Sequence, residues 1–186
     1  MRFPETVKKL KRGPQVVLPK DFGVIVGFTG VGSRSLVVDA GAGSGFLAIM
    51  LGNVAGKVVS YEWREEFATL AEENVKRTGL KNVEIVRRDI FLGIEEKGVD
   101  LVTLDLANSE KALGYAHEAL RENGYAVGYL PNVEQVKRFV EECERLKFRE
   151  IFTIECIVRE ILVRKEGCRP ETKGLLHTAY LTFAKK

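Results

Sequence analysis

The sequence predicts an α/β protein: a doubly wound, mostly parallel seven-stranded sheet closed by a C-terminal antiparallel β-hairpin. Three observations predict it. Short apolar runs alternate with amphipathic stretches from Leu36 to Leu146, as parallel strands joined by right-handed helical crossovers do. Several helical stretches stop at glycine, at Gly52, Gly79 and Gly124, the residue that most easily takes the left-handed cap. The rhythm then breaks. Phe152–Val163 and Leu175–Ala184 are β-rich, with Gly167, Pro170 and Gly174 between them, which predicts two longer antiparallel strands on one side of the sheet.

Taken in order, Met1–Lys20 is basic and punctuated by proline. Residues 1–32 are therefore expected to form a helical arm, and residues 33–186 the globular domain. Leu36–Ala40 (LVVDA) is the first strand and Gly45–Leu51 the first helix. Gly56–Glu62 (GKVVSYE) and Trp63–Thr78 repeat the unit, and Val83–Val86 is the third strand. Val99–Leu106 with Ser109–Arg121, then Gly124–Leu130 with Val133–Leu146, complete the alternation.

A chain of 186 residues buries a single sizeable core. With 45 % apolar and 30 % charged residues it falls outside the disordered class. No apolar run approaches the roughly 20 residues a membrane span needs, and no export signal opens the chain. The net charge of +3 permits a nucleic-acid partner without pointing to one. Cys143, Cys156 and Cys168 are too few and scattered for a disulfide framework, and His117 and His177 lie far apart without ligand spacing. Reduced thiols, no metal and a cytoplasmic location are the expectation. Scarce glutamine beside abundant Lys, Arg and Glu points to a thermophilic source.

VVDAGAGSGF (Val37–Phe46) links the first strand to the first helix. Gly41, Gly43 and Gly45 let the backbone turn sharply and approach a ligand, while Ala42 and Ser44 keep the loop small. Such a loop is expected to offer N–H groups at the helix start. Its G-x-G-x-G spacing differs from the dinucleotide G-x-G-x-x-G, and no phosphate-binding G-x-x-x-x-G-K-[ST] is present. Four consecutive strands end in or near acids: Asp39, Glu62, Asp89 and Asp105. All four tips fall on the carboxyl edge of the sheet, where ligands of such folds bind. Glu62 is placed to accept ribose hydroxyls and Asp89 an adenine amino group, with Trp63 and Ile90 walling the adenosine; packing in the core is the other reading of Trp63. This set, with the closing hairpin, resembles the class I S-adenosylmethionine methyltransferases, and implies a Rossmann-like methyltransferase with S-adenosylmethionine as cofactor.

Four segments resemble a narrower family, the archaeal and bacterial tRNA (adenine-N1)-methyltransferases that modify the T-loop. They are KRGPQVVLPKD (Lys11–Asp21), VVSYEWREEFATLAEENVKRTGL (Val58–Leu80), GYAVGYLPNVEQV (Gly124–Val136) and GCRPETKGLLHTAYLTFAKK (Gly167–Lys186). The resemblance implies that the first segment, with Gln15, approaches the cofactor. Family members carry an added N-terminal β domain, and the likeness here starts after it. The residue before PKD is Leu18 where the family has Tyr or His, and LDLANS (Leu104–Ser109) lacks the family's proline. The family forms tetramers, so a homo-oligomer is an expectation, and Cys168 matches a position that cross-links subunits in thermophilic members.

Asp105 is expected to face the acceptor base rather than the core. A carboxylate accepting an amino N–H pushes electron density toward the attacking nitrogen and can take the proton that is lost. Asn108 is either an auxiliary acceptor for an exocyclic amine, such as cytosine N4 in rRNA, or the N-cap of the next helix. Both a ring nitrogen and an exocyclic amine remain open as targets. Tyr129 is the candidate to stack on a flipped base; a partly buried tyrosine at a strand end is the other reading. Lys8–Arg12, Arg87–Arg88 and Arg159–Lys173 are the basic clusters that would meet RNA, and His177 is expected to hydrogen-bond structurally. A small-molecule or protein methyltransferase, or a non-catalytic paralogue, are the alternatives.

Overall fold

Valine and leucine runs without polar alternation belong to strands covered on both faces. The computed structural model, which describes residues 3–13, 15–172 and 177–186, has that cover. Its elements run α1 (Glu5–Lys8), α2 (Pro19–Thr29), β1 (Leu36–Ala40), α3 (Phe46–Gly52), β2 (Lys57–Tyr61) and α4 (Glu65–Thr78). Then come β3 (Val83–Val86), β4 (Val99–Leu104), α5 (Leu113–Ala119), β5 (Leu120–Leu130) and α6 (Val133–Arg145). β6 (Arg149–Glu155), β7 (Ile161–Arg164), β8 (Gly167–Pro170) and β9 (Tyr180–Lys185) close the chain.

Seven strands form one sheet in the order β3-β2-β1-β4-β5-β9-β6, parallel from β3 through β5 and antiparallel at both β9 pairings. Alternate residues feed two cores. Val37, Val58 and Leu101 face the layer of α2 and α3, while Val38, Val59 and Val102 face that of α5 and α6. α1 joins the first layer through Val7. Helix ends follow local chemistry: Gly30 and Gly79 take left-handed caps, and Asn132 accepts from Gln135 N–H at 2.9 Å to start α6.

The tail differs from expectation in one respect. The stretch Phe152–Val163 is not one strand; β6 ends at Glu155, opposite Tyr180, where β9 begins. Past that point there is no partner in the sheet, and the chain makes a separate two-stranded hairpin of β7 and β8. The other expected strand starts at Tyr180, and of its earlier residues Leu175 and Leu176 lie outside the described residues, as do Lys173 and Gly174. No described helix is long and apolar enough to cross a membrane.

α2 is locked onto the sheet by a buried ion pair. Lys20 Nζ donates to Asp21 Oδ1 at 2.5 Å and to Thr178 Oγ1 at 2.7 Å, and Thr178 Oγ1 donates to Asp21 Oδ2 at 3.1 Å. The side chains of Lys20 and Asp21 are 4 % and 0 % exposed. The residues of PKD and HT, far apart in sequence, thus form one network. Removing one partner of such a pair strands a buried charge, at a typical cost of about 3–5 kcal/mol. Asp21→Ala is expected to lower the denaturant midpoint by that order, while Lys20→Met with Asp21→Leu recovers most of it; equal loss in the single and double variants, read by urea unfolding, contradicts the pairing.

Candidate active site

β1 and β4 are neighbours whose connecting helices leave on opposite sides, so their carboxyl ends part and leave a crevice. The glycine loop enters it from β1 and Asp105 from β4. Asp105 N–H donates to Ala40 O at 2.9 Å, continuing the ladder one step beyond the strand. Gly41 has φ +91°, and a β-carbon there would stand 2.1 Å from the Asp105 carbonyl oxygen. No other residue type fits. Gly45, at φ +78°, brings the loop against Ala71, where a β-carbon would meet the α4 backbone at 3.3 Å.

The loop's N–H groups are mostly spent within the protein, contrary to the expected donor nest. Gly41 and Ala42 donate to Tyr61 O at 3.0 and 3.2 Å, Gly43 to Glu62 Oε2 at 3.0 Å, and Gly45 to Ala42 O at 2.7 Å. Ser44 is buried, and its carbonyl accepts from Asn74 Nδ2 at 2.8 Å. Asn74 also bonds the Lys11 backbone through both N–H and carbonyl, at 3.0 and 2.8 Å. A buried amide on α4 thereby clamps the N-terminal segment onto the loop, a role no local sequence signal announced.

Two adjoining cavities occupy the crevice, and both touch Gly41, Arg64 and Asp105. Gly13, Gln15, Val17, Gly43 and Ser44 line the first. Glu62, Trp63, Asp89, Ile90 and Asn108 line the second. Trp63 is 68 % exposed, a rim rather than a core residue. Asp89 caps a 3₁₀ turn at Ile90–Leu92 by accepting from Phe91 N–H at 3.0 Å through Oδ1. Its second oxygen has no partner among the described residues. Asn108 sits at a 3₁₀ start but makes no side-chain cap; with φ +56° its amide group stands at the cavity instead.

Asp39 is corrected by its surroundings. It is buried beneath the loop, accepts from Ser60 Oγ and Thr103 Oγ1 at 2.6 Å each, and lines neither cavity. Its register partners on the flanking strands are these same two residues. Burial raises its pKa, partly offset by the two hydroxyl bonds. Glu62, 2 % exposed, behaves otherwise. Burial alone would raise its pKa, but bonds from Arg64 and from Gly43 N–H outweigh that and lower it. Asp105 has no such donors. Burial first, and the nearby Asp39 charge second, push its pKa up to about 7.

Tyr129 is brought beside Asp105, because Leu104 pairs with Gly128 across β4 and β5. Its hydroxyl points to Asp21 Oδ2 at 3.4 Å, and burial raises its pKa. The PKD residues therefore sit beside Tyr129, while Gly13, Gln15, Val16 and Val17 of the same segment line the first cavity. His177 bridges Glu155 at 2.5 Å and the Pro131 carbonyl at 3.0 Å. Arg87 is engaged by Glu65 and Glu72, and Arg88 by Glu95, so this basic cluster is internally paired. Lys8 and Lys11 likewise pair with Glu5 and Glu73. Arg159, Arg164 and Lys165 are exposed on and before the β7–β8 hairpin with no ion pair among the described residues. No metal-binding group of His, Cys, Asp or Glu occurs among the described residues, and the three cysteines are free.

The crevice offers carboxylate acceptors and few unspent N–H donors. That suits a ligand bringing hydroxyls, an amino group and positive charge, and it does not suit a phosphate. Residues 4–169 match the family described as tRNA methyltransferase complex GCD14 subunit. The tRNA (adenine(57)-N(1)/adenine(58)-N(1))-methyltransferase TrmI of Methanocaldococcus jannaschii is 36 % identical, the match covering 97 % of this chain and 75 % of that one. The tRNA (adenine(58)-N(1))-methyltransferase TrmI of Thermus thermophilus is 34 % identical over 98 % of this chain and 73 % of its own. Among solved structures, tRNA (m1A58) methyltransferase TrmI from Aquifex aeolicus superposes with a TM-score of 0.90 at 30 % identity, covering 97 % of this chain and 73 % of that one. A SAM-dependent O-methyltransferase from Thermotoga maritima also reaches 0.90, at 35 % identity over 94 % of this chain and 67 % of its own.

Gly41→Ala tests the crevice directly. The added methyl must force β1 and β4 apart or turn the Asp105 peptide. Calorimetric titration is expected to show S-adenosylmethionine binding lost or weakened at least roughly tenfold, with a destabilisation of about 1–3 kcal/mol; wild-type affinity contradicts the close approach.

Proposed function

From the premise that this chain belongs to the tRNA methyltransferase GCD14-subunit family, we propose that it methylates N1 of an adenine in tRNA, with Asp105 as the residue that acts on the base. The observation that carries the reading is the position of Asp105. It is a carboxylate without a donor among the described residues, at the junction of both cavities and next to Tyr129. The three TrmI relatives named above are adenine-N1 methyltransferases, which favours the ring nitrogen over the exocyclic amine suggested by Asn108.

S-adenosylmethionine, when bound, supplies an electrophilic methyl group on a positive sulfur. Glu62 would hold the ribose hydroxyls, Asp89 the adenine amino group, and Trp63 and Ile90 the faces of that ring. Gln15 and the Gly43–Ser44 backbone would border the amino-acid end. Asp105, as a carboxylate, accepts an N–H from the N6 amino group of the target adenine. That bond pushes electron density toward N1 and stabilises the positive charge the ring carries once N1 bears its methyl. The N6 proton can then pass to Asp105 and on to water. Tyr129, steadied by Asp21, offers a ring face against which a flipped base stacks, and stacking of this kind is worth about 1–3 kcal/mol. Exposed cations on the β7–β8 hairpin suit the tRNA backbone.

Asp105→Asn is expected to lower kcat by about 10²–10³ while S-adenosylmethionine affinity stays within a few-fold. Activity in the wild type should rise with pH and level off above about 7, because only the ionised acid accepts the N–H. The sign for stability is opposite. An acid whose folded pKa is raised binds more protons folded than unfolded, so stability falls as pH climbs from its ordinary range through about 7. Asp105→Asn should therefore raise the melting temperature at pH 8 and leave it unchanged near pH 4. Nucleoside mass spectrometry of tRNA treated with the purified protein identifies the atom; methyl groups found only on oxygen, or only on protein, defeat the proposal.

A further inference from the structure

A carboxylate has about four lone-pair sites, and all four of Glu62's are taken. Oε1 accepts from Arg64 N–H at 3.1 Å and from Arg64 Nε at 3.0 Å. Oε2 accepts from Gly43 N–H at 3.0 Å and from Arg64 Nη2 at 3.2 Å. Two of these donors are backbone groups fixed by the loop and by the turn after β2. The other two form the guanidinium fork of Arg64. A ribose diol also presents two adjacent donors to one carboxylate, so fork and diol need the same two sites. Arg64 borders both cavities and stands where they meet, on the path that a nucleoside with an amino-acid tail must span.

We propose that Arg64 is a competitor for the ribose site: its fork occupies Glu62 in the empty protein, and cofactor binding requires the fork to leave. The inference rests on Glu62 as the ribose acceptor. Three features make the exchange feasible. The Arg64 side chain is 43 % exposed, so it can swing outward without repacking the core. Its guanidinium already lies 4.2 Å over the Phe67 ring, a cationic resting place beside the cleft. Glu62 keeps both backbone donors when the fork departs, so its charge is never stranded. In the empty protein the fork also holds a buried carboxylate in the rotamer that the diol needs, so the site stays formed between turnovers. Only the fraction of molecules with the fork displaced binds, and the apparent dissociation constant is the intrinsic one divided by that fraction.

Calorimetry with S-adenosylmethionine and with S-adenosylhomocysteine on the full chain tests this. Arg64→Ala is expected to tighten both roughly tenfold, the size expected when a charge-assisted fork no longer has to be broken. The second ligand is essential: its sulfur is neutral, so an equal gain reports the shared diol and not relief of repulsion between guanidinium and sulfonium. Arg64→Lys keeps the charge and loses the fork; it should gain several-fold, and it carries the test if Arg64→Ala proves too unstable, as judged by melting temperature. Weaker binding in either variant, or a gain with the cationic ligand alone, overturns the proposal. Glu62→Gln separates the two readings. If Glu62→Gln binds as wild type, the ribose assignment fails; if it loses binding while Arg64→Ala also loses it, the ribose assignment stands and the competition fails.

Discussion

The contact between the α-carbon of Gly41 and the carbonyl of Asp105 is the constraint on which the site depends. β1 and β4 run side by side to their ends, and the chain must then turn in two directions from one point. The turn out of β1 needs a left-handed backbone, and the turn out of β4 needs the space a side chain would fill. Glycine satisfies both. Its absence of a β-carbon lets Asp105 stand at the junction of two cavities instead of above one of them. A residue any larger would push the Asp105 backbone away from that junction.

Around that junction the protein distributes four carboxylates with four different outcomes. Asp39 is sealed by hydroxyls of Ser60 and Thr103 and supports the loop from below. Glu62 is held ionised by a guanidinium and two backbone N–H groups. Asp89 spends one oxygen on a turn and keeps the other toward the cavity. Asp105 receives no donor, and its pKa climbs. Burial pushes Asp39, Glu62 and Asp105 upward, and only at Glu62 do hydrogen bonds outweigh it, so Glu62 and Asp39 shift in opposite directions. Glu62 is stabilised as an anion, and Asp105 is left poised near neutrality, as proton-transfer groups tend to be.

What could be read from residues alone follows the range of the interactions involved. Parallel strands, their helices and the glycine loop were legible because each depends on neighbours within a dozen residues. β3 ends where the apolar run ends, and α4 where Gly79 stands. Asp39 was misassigned because a strand tip does not reveal which way its side chain turns. A signal existed: VVDA, VVSY and LVTL place an acid and two hydroxyls at the same step of three adjacent strands, which marks a lateral hydrogen-bonded row. The long strand expected over Phe152–Val163 was misread because β propensity does not report whether a partner strand is still present. Asn74 and the Lys20–Asp21–Thr178 network were invisible because their partners lie far away in sequence.

The same difference in range separates the two halves of the site. The second cavity is lined by the successive turns that follow β1, β2, β3 and β4. Any doubly wound sheet with suitable acids can build it, so it carries little information about the acceptor. The cluster of Asp21, Tyr129 and Thr178 joins the start of α2, the end of β5 and the approach to β9, three segments separated by most of the chain. Those segments meet only if the antiparallel strand β9 inserts between β5 and β6, bringing Thr178 back to Asp21. That cluster therefore resides in the part of the fold that departs from parallel winding. At the position before Pro19, Leu18 is buried, and the ring faces at the crevice come from other segments: Phe46 and Phe67 line the first cavity, Tyr61, Trp63 and Phe91 the second, and Tyr129 stands beside Asp105.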